Sequence, residues 1–331
     1  MKALVTGATG FIGSFLVEEL LARNYEVRAM VRDTSSLANL PNAAAAERVK
    51  GDVRDPDSLR RAVRGADIIF HCAALVGEWG APRDYQAINV TGMENMINAA
   101  EDAGVARFID VSSVAVHGNE GHDRSTEGAP VRKTGVLYND SKVDAERLVW
   151  HAHEQGRIRA TTIRPVMVWG PRDRVYFPKM IHALRRRMFV YMGSPDNIAG
   201  LAHVRNVVDV IVRAAETRTA QGEAFIAADG CDTSVRDIVE TLCRQLDLPR
   251  PLMTVPYGLA RAMGAASEAL GHAVNKKSAP LMTKMGVELM GNSLSFSIDK
   301  ARHVLGYDPQ YRFPDHLPEF LDWYHREFEP A

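Results

Sequence analysis

The chain has few cysteines and no motif that would pair them. Only Cys72, Cys231 and Cys243 occur among its 331 residues, and no two of them form a CxxC pair. Any one disulfide would leave a cysteine over, so a reducing compartment is the simpler expectation. The spacing also lacks the paired ligands of a structural zinc site. We therefore expect no bound metal.

Long apolar runs and an excess of either charge are also absent. No stretch approaches the roughly 18 consecutive apolar residues of a membrane-spanning helix, and the first strand begins without a charged and apolar leader. Lysine and arginine number 40 against 41 aspartate and glutamate residues, which gives no general attraction for nucleic acid. The densest basic run, residues 185–187, indicates a solvated helix face. We expect a cytoplasmic protein with no integral membrane segment and no nucleic-acid partner.

The strongest motif lies at the start of the chain. An apolar run over residues 2–6 leads to Gly7, Gly10 and Gly13, and an apolar-periodic helix follows. This order of strand, turn and helix is how a βαβ unit binds the pyrophosphate of a dinucleotide. The first glycine permits the turn, the second lets the backbone approach the anion, and the third allows close packing of helix on strand. A simple turn is the alternative, which the flanking strand and helix disfavour. Three further residues of the loop are predicted to contact the cofactor: Thr9, Phe11 and Ile12.

Strand-like and helix-like patterns alternate through the first half of the chain, which predicts an α/β fold. Four apolar runs have the length of parallel strands: residues 25–31, 48–53, 67–74 and 107–111. We predict a Rossmann doubly wound parallel sheet with a smaller, discontinuous C-terminal substrate-binding region. Residues 1–170 would form the dinucleotide-binding domain, with residues 200–230 returning to it. Residues 171–199 and 231–331 would form most of the substrate-binding region.

Polar residues indicate which side chain faces solvent in one predicted helix and where a second predicted helix begins. A long helix is predicted from about Arg83 to Asp102, and Asn89 lies in its middle. We expect this asparagine to face solvent, because its side chain is unfavourable inside helices. In the second half, Ser234 followed by Asp237 has the spacing of a capping box and predicts the start of another helix.

The carboxyl end of the second strand bears on the choice between NAD and NADP. An acidic residue there would accept hydrogen bonds from the ribose hydroxyls of NAD, whereas a cation can bind the 2′-phosphate of NADP. Arg32 occupies that position and Asp33 follows it, so NADP is favoured and NAD is possible. Asp52 and Val53, at the end of the third strand, are also expected to contact the cofactor. Small residues end the fourth strand, where the nicotinamide ring could lie: Ala73 and Ala74.

Two segments could carry chemistry. Ser112 and Ser113 follow the strand at 107–111, at the sheet edge where doubly wound folds bind ligands, although serines at strand ends often only form turns. Tyr138 and Lys142 lie four residues apart on a predicted helix and share one face. A tyrosine has an ordinary pKa of about 10, so an enzyme that uses one near neutral pH must stabilise the phenolate by about 4 kcal/mol. A neighbouring ammonium supplies the right charge, and a serine hydroxyl can orient a carbonyl or alcohol oxygen.

Together these motifs resemble those of an extended short-chain dehydrogenase/reductase. The segments that carry the resemblance occur in family order: residues 6–13, Gly51 with Asp52, Ser112 with Ser113, residues 116–118, Tyr138 with Lys142, and residues 164–171. The resemblance implies that Ser113 polarises the substrate oxygen and that Tyr138 is the acid and base. It implies that Lys142 contacts this tyrosine and the cofactor ribose, and that Asn89 supports a water relay. Two more cofactor contacts are predicted: Pro165 and Val168.

Departures from the family pattern disfavour some of the activities that the family contains. Val114 and Ala115 stand where sugar-nucleotide dehydratases carry an acidic pair, which disfavours dehydration. Met167 stands where sugar-nucleotide epimerases usually have an asparagine that contacts the diphosphate. Residues 164–171, the Trp79 loop and the strand-end arginine instead resemble the branch that holds 3β-hydroxysteroid dehydrogenases, dihydroflavonol-type reductases and β-hydroxy/β-keto acid reductases. Members of that branch act on bulky, mostly apolar alcohols and ketones.

The second half has a less regular pattern and is expected to bind the substrate. Trp79 could be either a wall of the pocket or a local cover for the core. Residues 256–290 hold four methionines among small residues, which could line an apolar pocket or simply fill a core. The helix predicted at 259–270 could instead touch a membrane. The predicted substrate contacts are Val76, Trp79, Met167 and Tyr176.

The sequence therefore favours an oxidoreductase that uses NADP to interconvert a secondary alcohol and a ketone on a bulky, largely apolar small molecule. A sugar or sugar-nucleotide epimerase that keeps NAD bound is the alternative. A non-catalytic NADP-sensing protein is a second alternative, which the intact set of Ser113, Tyr138 and Lys142 disfavours. We expect a homodimer.

Overall fold

The structure is a computed structural model that describes residues 1–40, 45–105, 107–274, 278–280 and 282–329. Its strands, in chain order, are β1 (Lys2–Thr6), β2 (Glu26–Val31), β3 (Glu47–Lys50), β4 (Ile68–His71), β5 (Arg107–Val111), β6 (His122–Ser125), β7 (Ala160–Pro165), β8 (Met167–Trp169), β9 (Tyr191–Met192), β10 (Ile198–Ala199), β11 (Leu201–His203), β12 (Ala224–Ala227), β13 (Thr233–Ser234), β14 (Thr254–Val255) and β15 (Leu294–Phe296). Its α-helices are α1 (Phe11–Ala22), α2 (Pro56–Val63), α3 (Pro82–Tyr85), α4 (Thr91–Asp102), α5 (Leu137–Glu154), α6 (Tyr176–Arg185), α7 (Val204–Glu216), α8 (Val235–Gln245), α9 (Tyr257–Ala273), α10 (Lys284–Gly291), α11 (Asp299–Leu305) and α12 (Leu317–Phe328).

Seven of the strands form one parallel sheet in the order β12, β7, β5, β4, β1, β2, β3. In its centre, Val5 of β1 pairs with Ala29 of β2 on one side and with Phe70 of β4 on the other. The chain first moves outward from β1 to β3 and then returns across β1 to β4. This reversal leaves a crevice outside the carboxyl ends of β1 and β4, where doubly wound sheets bind their ligands. The predicted Rossmann fold is confirmed.

Helices cover both faces of the sheet, and each face has its own apolar core. On one face, Val5 and Phe70 are buried against α1 and α7. On the other face, Leu4 and Ile69 are buried against α2, α4 and α5. Because successive residues of a strand point to opposite faces, burial on both sides requires nearly continuous apolar runs. This requirement explains why the sheet strands were recognisable in the sequence.

A third apolar core lies outside the sheet and is built by α6, α8 and α12. Its centre is a set of aromatic rings in which Phe177 contacts Trp169 and Phe320, with ring centroids 5.7 and 5.4 Å apart. Between the helices of this region, short strands pair in twos: β6 with β15, β8 with β11, β9 with β14 and β10 with β13. In contrast, β12 pairs with β7 of the main sheet and α7 covers that sheet, so these two elements contribute to the core of the main sheet.

The observed elements refine the predicted ones. Strands β3 and β4 stop three residues short of the predicted ends, because the residues that follow leave the sheet and enter loops at the crevice. The capping box at the start of α8 is confirmed, since Ser234 Oγ accepts a hydrogen bond from the Asp237 N–H at 3.0 Å and the Asp237 carboxylate accepts one from the Ser234 N–H at 3.1 Å. No described helix is both long and apolar enough to cross a bilayer.

The prediction that Asn89 faces solvent was wrong. Helices α3 and α4 are joined by a π-helical turn, Gln86–Val90, and Asn89 on this turn is buried with 4% of its surface exposed. Its amide accepts a hydrogen bond from the Leu75 N–H at 2.7 Å and donates to the Leu75 carbonyl and to Ser141 Oγ at 3.0 and 2.9 Å. A buried amide is stable only when such partners satisfy it, and here they come from a loop and a helix distant in sequence.

Candidate active site

The glycine loop between β1 and α1 depends on two residues without side chains. Gly7 has a φ of +64°, in the left-handed region that glycine tolerates, and a Cβ on it would lie 2.8 Å from the Ala73 nitrogen. A Cβ on Gly13 would lie only 2.2 Å from the Gly7 carbonyl oxygen. The same oxygen accepts a hydrogen bond from the Gly10 N–H at 2.9 Å, which closes the turn. The loop can therefore bring α1 directly against the end of β1 only with glycine at these positions.

The amino-terminal end of α1 faces the crevice without a cap of its own. Gly10 is exposed and occupies the cap position, and no side chain accepts from the first N–H groups of the helix. Free N–H groups at a helix start form an anion-binding site. Thr9 is half-buried beside them, and Phe11 and Ile12 pack their side chains against the core. Geometrically, this turn fits the pyrophosphate of a dinucleotide.

Charged residues surround the carboxyl ends of β2 and β3. Asp33 forms an ion pair with Lys50 at 2.6 Å, whereas Arg32 is exposed and has no carboxylate in ion-pair contact within the described residues. Asp52 hydrogen-bonds Arg54, which holds the pKa of this carboxyl below its usual value. The neighbouring residue, Val53, is buried against the backbone of Gly92 in α4.

The carboxyl end of β4 is fixed by hydrogen bonds to β1 and to the π turn. Thr6 Oγ1 accepts a hydrogen bond from the Ala73 N–H at 3.2 Å and bonds His71 Nδ1 at 3.1 Å. Asn89 holds the backbone of Leu75, two residues further on. Ala73 and Ala74, between these two anchors, are half-buried at the crevice. This segment presents a small, fixed surface beside the glycine loop.

The two serines that follow β5 have different surroundings. Ser112 is buried, and its hydroxyl donates to Glu146 of α5 at 2.7 Å. Ser113 is half-buried and accepts a hydrogen bond from the Ala115 N–H at 3.2 Å, which caps the short 3₁₀ helix Val114–His117. A serine oxygen that accepts one bond keeps its own proton and a second lone pair for another partner. Of the two serines, only Ser113 is therefore available to a ligand.

Tyr138 and Lys142 lie on one face of α5, turned toward the end of β5. Both are buried, with 9% and 4% of their surfaces exposed. The Lys142 ammonium donates to the carbonyl of Val111, the last residue of β5, at 2.9 Å. Tyr138 packs in a small cluster with Ala115 of the 3₁₀ helix and with Tyr85. The fold thus brings Tyr138 and Lys142 to the same strand end that presents Ser113.

A buried carboxyl group that sequence reasoning missed lies on the same face of the sheet. Asp110 is 1% exposed, and neither of its oxygens has a hydrogen-bond partner among the described residues. Burial raises its pKa to about 6, although the positive charge of Lys142 opposes this shift. Burial also lowers the pKa of His71, its neighbour on β4, to about 3. A charged residue inside the apolar strand at 107–111 was the available signal for this position.

A buried ion pair between Arg164 of β7 and Glu146 of α5 adjoins these groups. Arg164 also donates to the Glu127 carbonyl at 2.9 Å and contacts His117 Nε2 at 3.2 Å. On its other side, His117 Nδ1 lies 3.2 Å from the Pro130 carbonyl, so Nδ1 carries the proton and Nε2 accepts from the arginine. Burial, assisted by the arginine charge, lowers the pKa of His117 to about 4. The ring is therefore neutral near pH 7.

A cavity adjoins the cluster that holds Tyr138. Four separate parts of the chain line it, and these residues are Glu78, Trp79, Gly80, Gly135, Val136, Leu137, Glu268, Lys284 and Met285. Met285 and Leu137 also belong to the cluster around Tyr138. Glu78 accepts a hydrogen bond from Thr283 Oγ1 at 2.6 Å and pairs with Lys179 at 2.8 Å, which joins the loop after β4 to α6 and to the segment before α10.

The other residues predicted to bind substrate lie elsewhere. Val76 is 62% exposed on the same loop as Trp79. Met167 and Tyr176 pack against the third apolar core, where the Tyr176 hydroxyl contacts Met290 Sδ at 3.7 Å. Two predicted cofactor contacts lie at and just beyond the end of β7: Pro165, its last residue, pairs with β12, and Val168 of β8 is half-buried against the sheet core. Of the four predicted substrate contacts, only Trp79 lines the cavity beside Tyr138.

The fold and the residues gathered at its crevice define the class as an extended short-chain dehydrogenase/reductase. The chain belongs to the NAD dependent epimerase/dehydratase family, whose model matches residues 3–228. It is 30% identical over 310 residues to the 4-hydroxy-2-methyl-3-oxo-4-farnesyl-3,4-dihydroquinoline-1-oxide ketoreductase of Stigmatella aurantiaca, covering 93% of this chain and 92% of the relative. It is 31% identical over 342 residues to the 3 beta-hydroxysteroid dehydrogenase/Delta 5-->4-isomerase of Mycobacterium tuberculosis, covering 99% and 91%. The crystal structure of gox2253 matches with a TM-score of 0.81 at 29% identity over 98% of each chain. The resemblance to this branch is confirmed.

The close packing at Gly13 leads to a stability prediction. Gly13→Ala should lower the free energy of unfolding by about 1–3 kcal/mol, because the added methyl group must displace the Gly7 carbonyl. Gly258→Ala is the control, since a Cβ there meets no atom within 4 Å. Urea unfolding of both variants checks this, and equal midpoints for Gly13→Ala and the wild type would contradict it.

The buried neutral ring of His117 leads to a pH prediction. Its folded pKa of about 4 lies below the ordinary 6.5, so the unfolded chain binds the proton first as pH falls. The stability that His117 contributes is complete above pH 6.5 and is lost toward pH 4. The loss of unfolding free energy caused by His117→Gln should thus be about 2 kcal/mol smaller at about pH 4.5 than at about pH 7.5. Urea unfolding at both pH values measures this cost. The buried, non-titrating Val116 gives a control, because Val116→Ala should cost the same at both.

Proposed function

We propose that this protein is an NADP-dependent oxidoreductase that interconverts a secondary alcohol and a ketone on a bulky, largely apolar small molecule. One observation carries the proposal. Tyr138 and Lys142 are buried on one face of α5, against the strand end that presents Ser113, and this strand end lies at the same carboxyl edge of the sheet as the glycine loop. These residue types suit proton transfer to and from an alcohol oxygen without a metal.

Each of the three side chains has a distinct role in this proposal. Tyr138 gives the proton to the ketone oxygen in reduction and takes it from the alcohol in oxidation. The Lys142 ammonium, fixed by the Val111 carbonyl, stabilises the phenolate by its positive charge. The Ser113 hydroxyl donates to the substrate oxygen and shares its developing negative charge. When bound, the nicotinamide supplies or accepts the hydride. Asn89 acts through the loop and helix that it joins, as a positioning residue.

The cofactor is proposed to lie along the crevice. Its pyrophosphate would meet the N–H groups of the α1 start and the loop at Thr9, Gly10 and Phe11. Arg32 would bind the 2′-phosphate, and the pairing of Asp33 with Lys50 supports this choice because it neutralises the acidic residue that follows Arg32 in the chain. The remaining predicted contacts run from the adenine toward the nicotinamide: Asp52, Val53, Ile12, Ala73, Ala74, Pro165 and Val168. NAD remains the alternative cofactor.

The proposed substrate class rests on the cavity beside Tyr138. Trp79, Val136, Leu137 and Met285 give it apolar walls, its carboxylates are already paired or hydrogen-bonded, and Lys284 also lines it. The apolar walls support a bulky, largely apolar substrate that carries a polar group. A farnesylated quinoline ketone and a steroid, named for the two relatives, have that character. Val76 would contact the outer part of such a molecule, and Met167 with Tyr176 would act only indirectly, through the third apolar core.

These positions indicate which parts of the chain bind the cofactor and which parts select the substrate. Residues 1–170, with residues 200–230, are proposed to bind the cofactor, and residues 171–199 with 231–331 are proposed to select the substrate. A homodimer in the cytoplasm is the expected state. The family also contains epimerases, which would retain tightly bound NAD during purification. Release of the cofactor on gel filtration would separate the proposed oxidoreductase from that alternative.

Removing the tyrosine hydroxyl tests the catalytic assignment. Tyr138→Phe should lower kcat at least about a hundredfold, because no other group replaces the proton donor, while the Kd for NADPH changes little. Tyr85→Phe is a matched control, since Tyr85 is buried in the same cluster and its hydroxyl donates to the Gly77 carbonyl. Ketone-dependent oxidation of NADPH measures kcat, and near-wild-type turnover of Tyr138→Phe would rule out the assignment.

Removing the exposed arginine tests the choice of cofactor. Arg32→Ala should weaken NADPH binding about 10- to 100-fold, the worth of one charge-assisted hydrogen-bond pair, and leave NADH binding nearly unchanged. Arg60→Ala on α2 controls for net charge, because Arg60 already pairs with Asp57. Fluorescence titration with both cofactors gives the two Kd values. An equal loss for NADPH and NADH would overturn the NADP preference.

A further inference from the structure

Helix α9 has an apolar face that no other described part of the chain covers. Leu259, Met263 and Leu270 are 55%, 45% and 65% exposed. With Ala266 between them, they follow one another at intervals of four, three and four residues, which places all four on one side of the helix. The helix instead packs inward through a different side, where Ala260 and Gly264 are buried.

The composition of the exposed side is unusual for a helix in water. Among the exposed residues that the structure describes in α9, only Arg261 is charged, and the others are Gly258, Leu259, Ala262, Met263, Ala265, Ala266, Ala269, Leu270 and Ala273. A solvated helix face normally carries lysine and glutamate. The apolar surface continues at both ends of the helix, since Leu252 and Val274 are 96% and 64% exposed. An exposed apolar patch of this kind marks an interaction site.

The charge of this region indicates what the patch binds. Between residues 244 and 284 the sequence has six basic residues and only two acidic ones, in a chain whose net charge is −1. One of the two acidic residues, Glu268, is turned inward and accepts a hydrogen bond from the Lys284 N–H at 2.7 Å. An apolar helix face within a basic region is typical of a helix that lies in the interface of an anionic membrane.

The inner side of the same helix borders the cavity beside Tyr138. Glu268 is part of the cavity lining, and a Cβ on Gly271 would lie 3.0 Å from the Trp79 ring. Helix α9 therefore has the proposed substrate cavity on one side and the uncovered apolar face on the other. An apolar substrate dissolved in a lipid bilayer would reach the cavity along this helix without crossing water.

We propose that α9 docks on the surface of an anionic lipid bilayer, with Leu259, Met263 and Leu270 inserted among the acyl chains and Arg261 at the headgroups. The protein lies on the membrane and does not span it. The role in substrate delivery rests on the proposed function, whereas the docking itself does not.

Vesicle binding by the full-length protein tests the docking. The wild type should co-sediment with vesicles of phosphatidylcholine and phosphatidylglycerol, less with phosphatidylcholine alone, and less again at high salt. The triple variant Leu259→Gln, Met263→Gln, Leu270→Gln should bind anionic vesicles at least about tenfold more weakly. The matched control is Val304→Gln, another exposed apolar residue on a different surface.

Further measurements distinguish membrane docking from a loss of folding and from self-association. Thermal unfolding followed by circular dichroism should show that the triple variant is folded, and its turnover of a water-soluble ketone should match the wild type. Absence of wild-type binding to any vesicle would overturn the proposal. So would light scattering in which the triple change converts a dimer to a monomer, since a second copy of the chain would then cover this face. Vesicle binding without any ketone reductase activity would support docking and contradict only the proposed function.

Discussion

The position of the candidate site depends on a layer of buried charge between α5 and the sheet. Glu146 accepts hydrogen bonds from Ser112, Arg164 and Trp150, and four residues earlier Lys142 donates to the end of β5. Breaking one partner of a buried pair leaves an uncompensated charge, so such contacts fix the two elements in one relative position. The same contacts set the height of Tyr138 above the strand end. The geometry of the candidate site is thus a consequence of how the helix is attached.

This attachment also explains why the two serines are not equivalent. Ser112 is used to hold α5, and that bond leaves Ser113 as the first hydroxyl beyond the sheet. On the opposite side of the crevice, Asn89 holds the loop after β4 by hydrogen bonds to the Leu75 backbone. Its π turn widens the helix by one residue, which aims the amide at Leu75 and Ser141 together. Both sides of the crevice are therefore fixed by buried polar groups rather than by apolar packing alone.

Much of this arrangement could be predicted from local patterns. The spacing of the three glycines, the continuous apolar strands and the four-residue interval between Tyr138 and Lys142 are properties of short segments, and they predicted the fold and the candidate site residues. The burial of Asn89 could not be predicted, because it depends on partners 14 and 52 residues away. Asp110 was missed for the same reason: its environment is created by α5 and by neighbouring strands. The cavity wall, which brings Trp79 to Gly271, is likewise a product of tertiary contacts.

The bonds of the Glu78 carboxylate affect how easily the cavity can change during evolution. The carboxylate joins the loop after β4 to α6 and to the segment before α10, and the loop after β4 and the start of α10 both line the cavity. None of its bonds involves the sheet or the glycine loop. Substitutions in the segments that line the cavity can therefore accumulate, and the cavity can change shape, while the sheet and the glycine loop keep their own independent supports. A family built in this way can diversify its substrates faster than its chemistry.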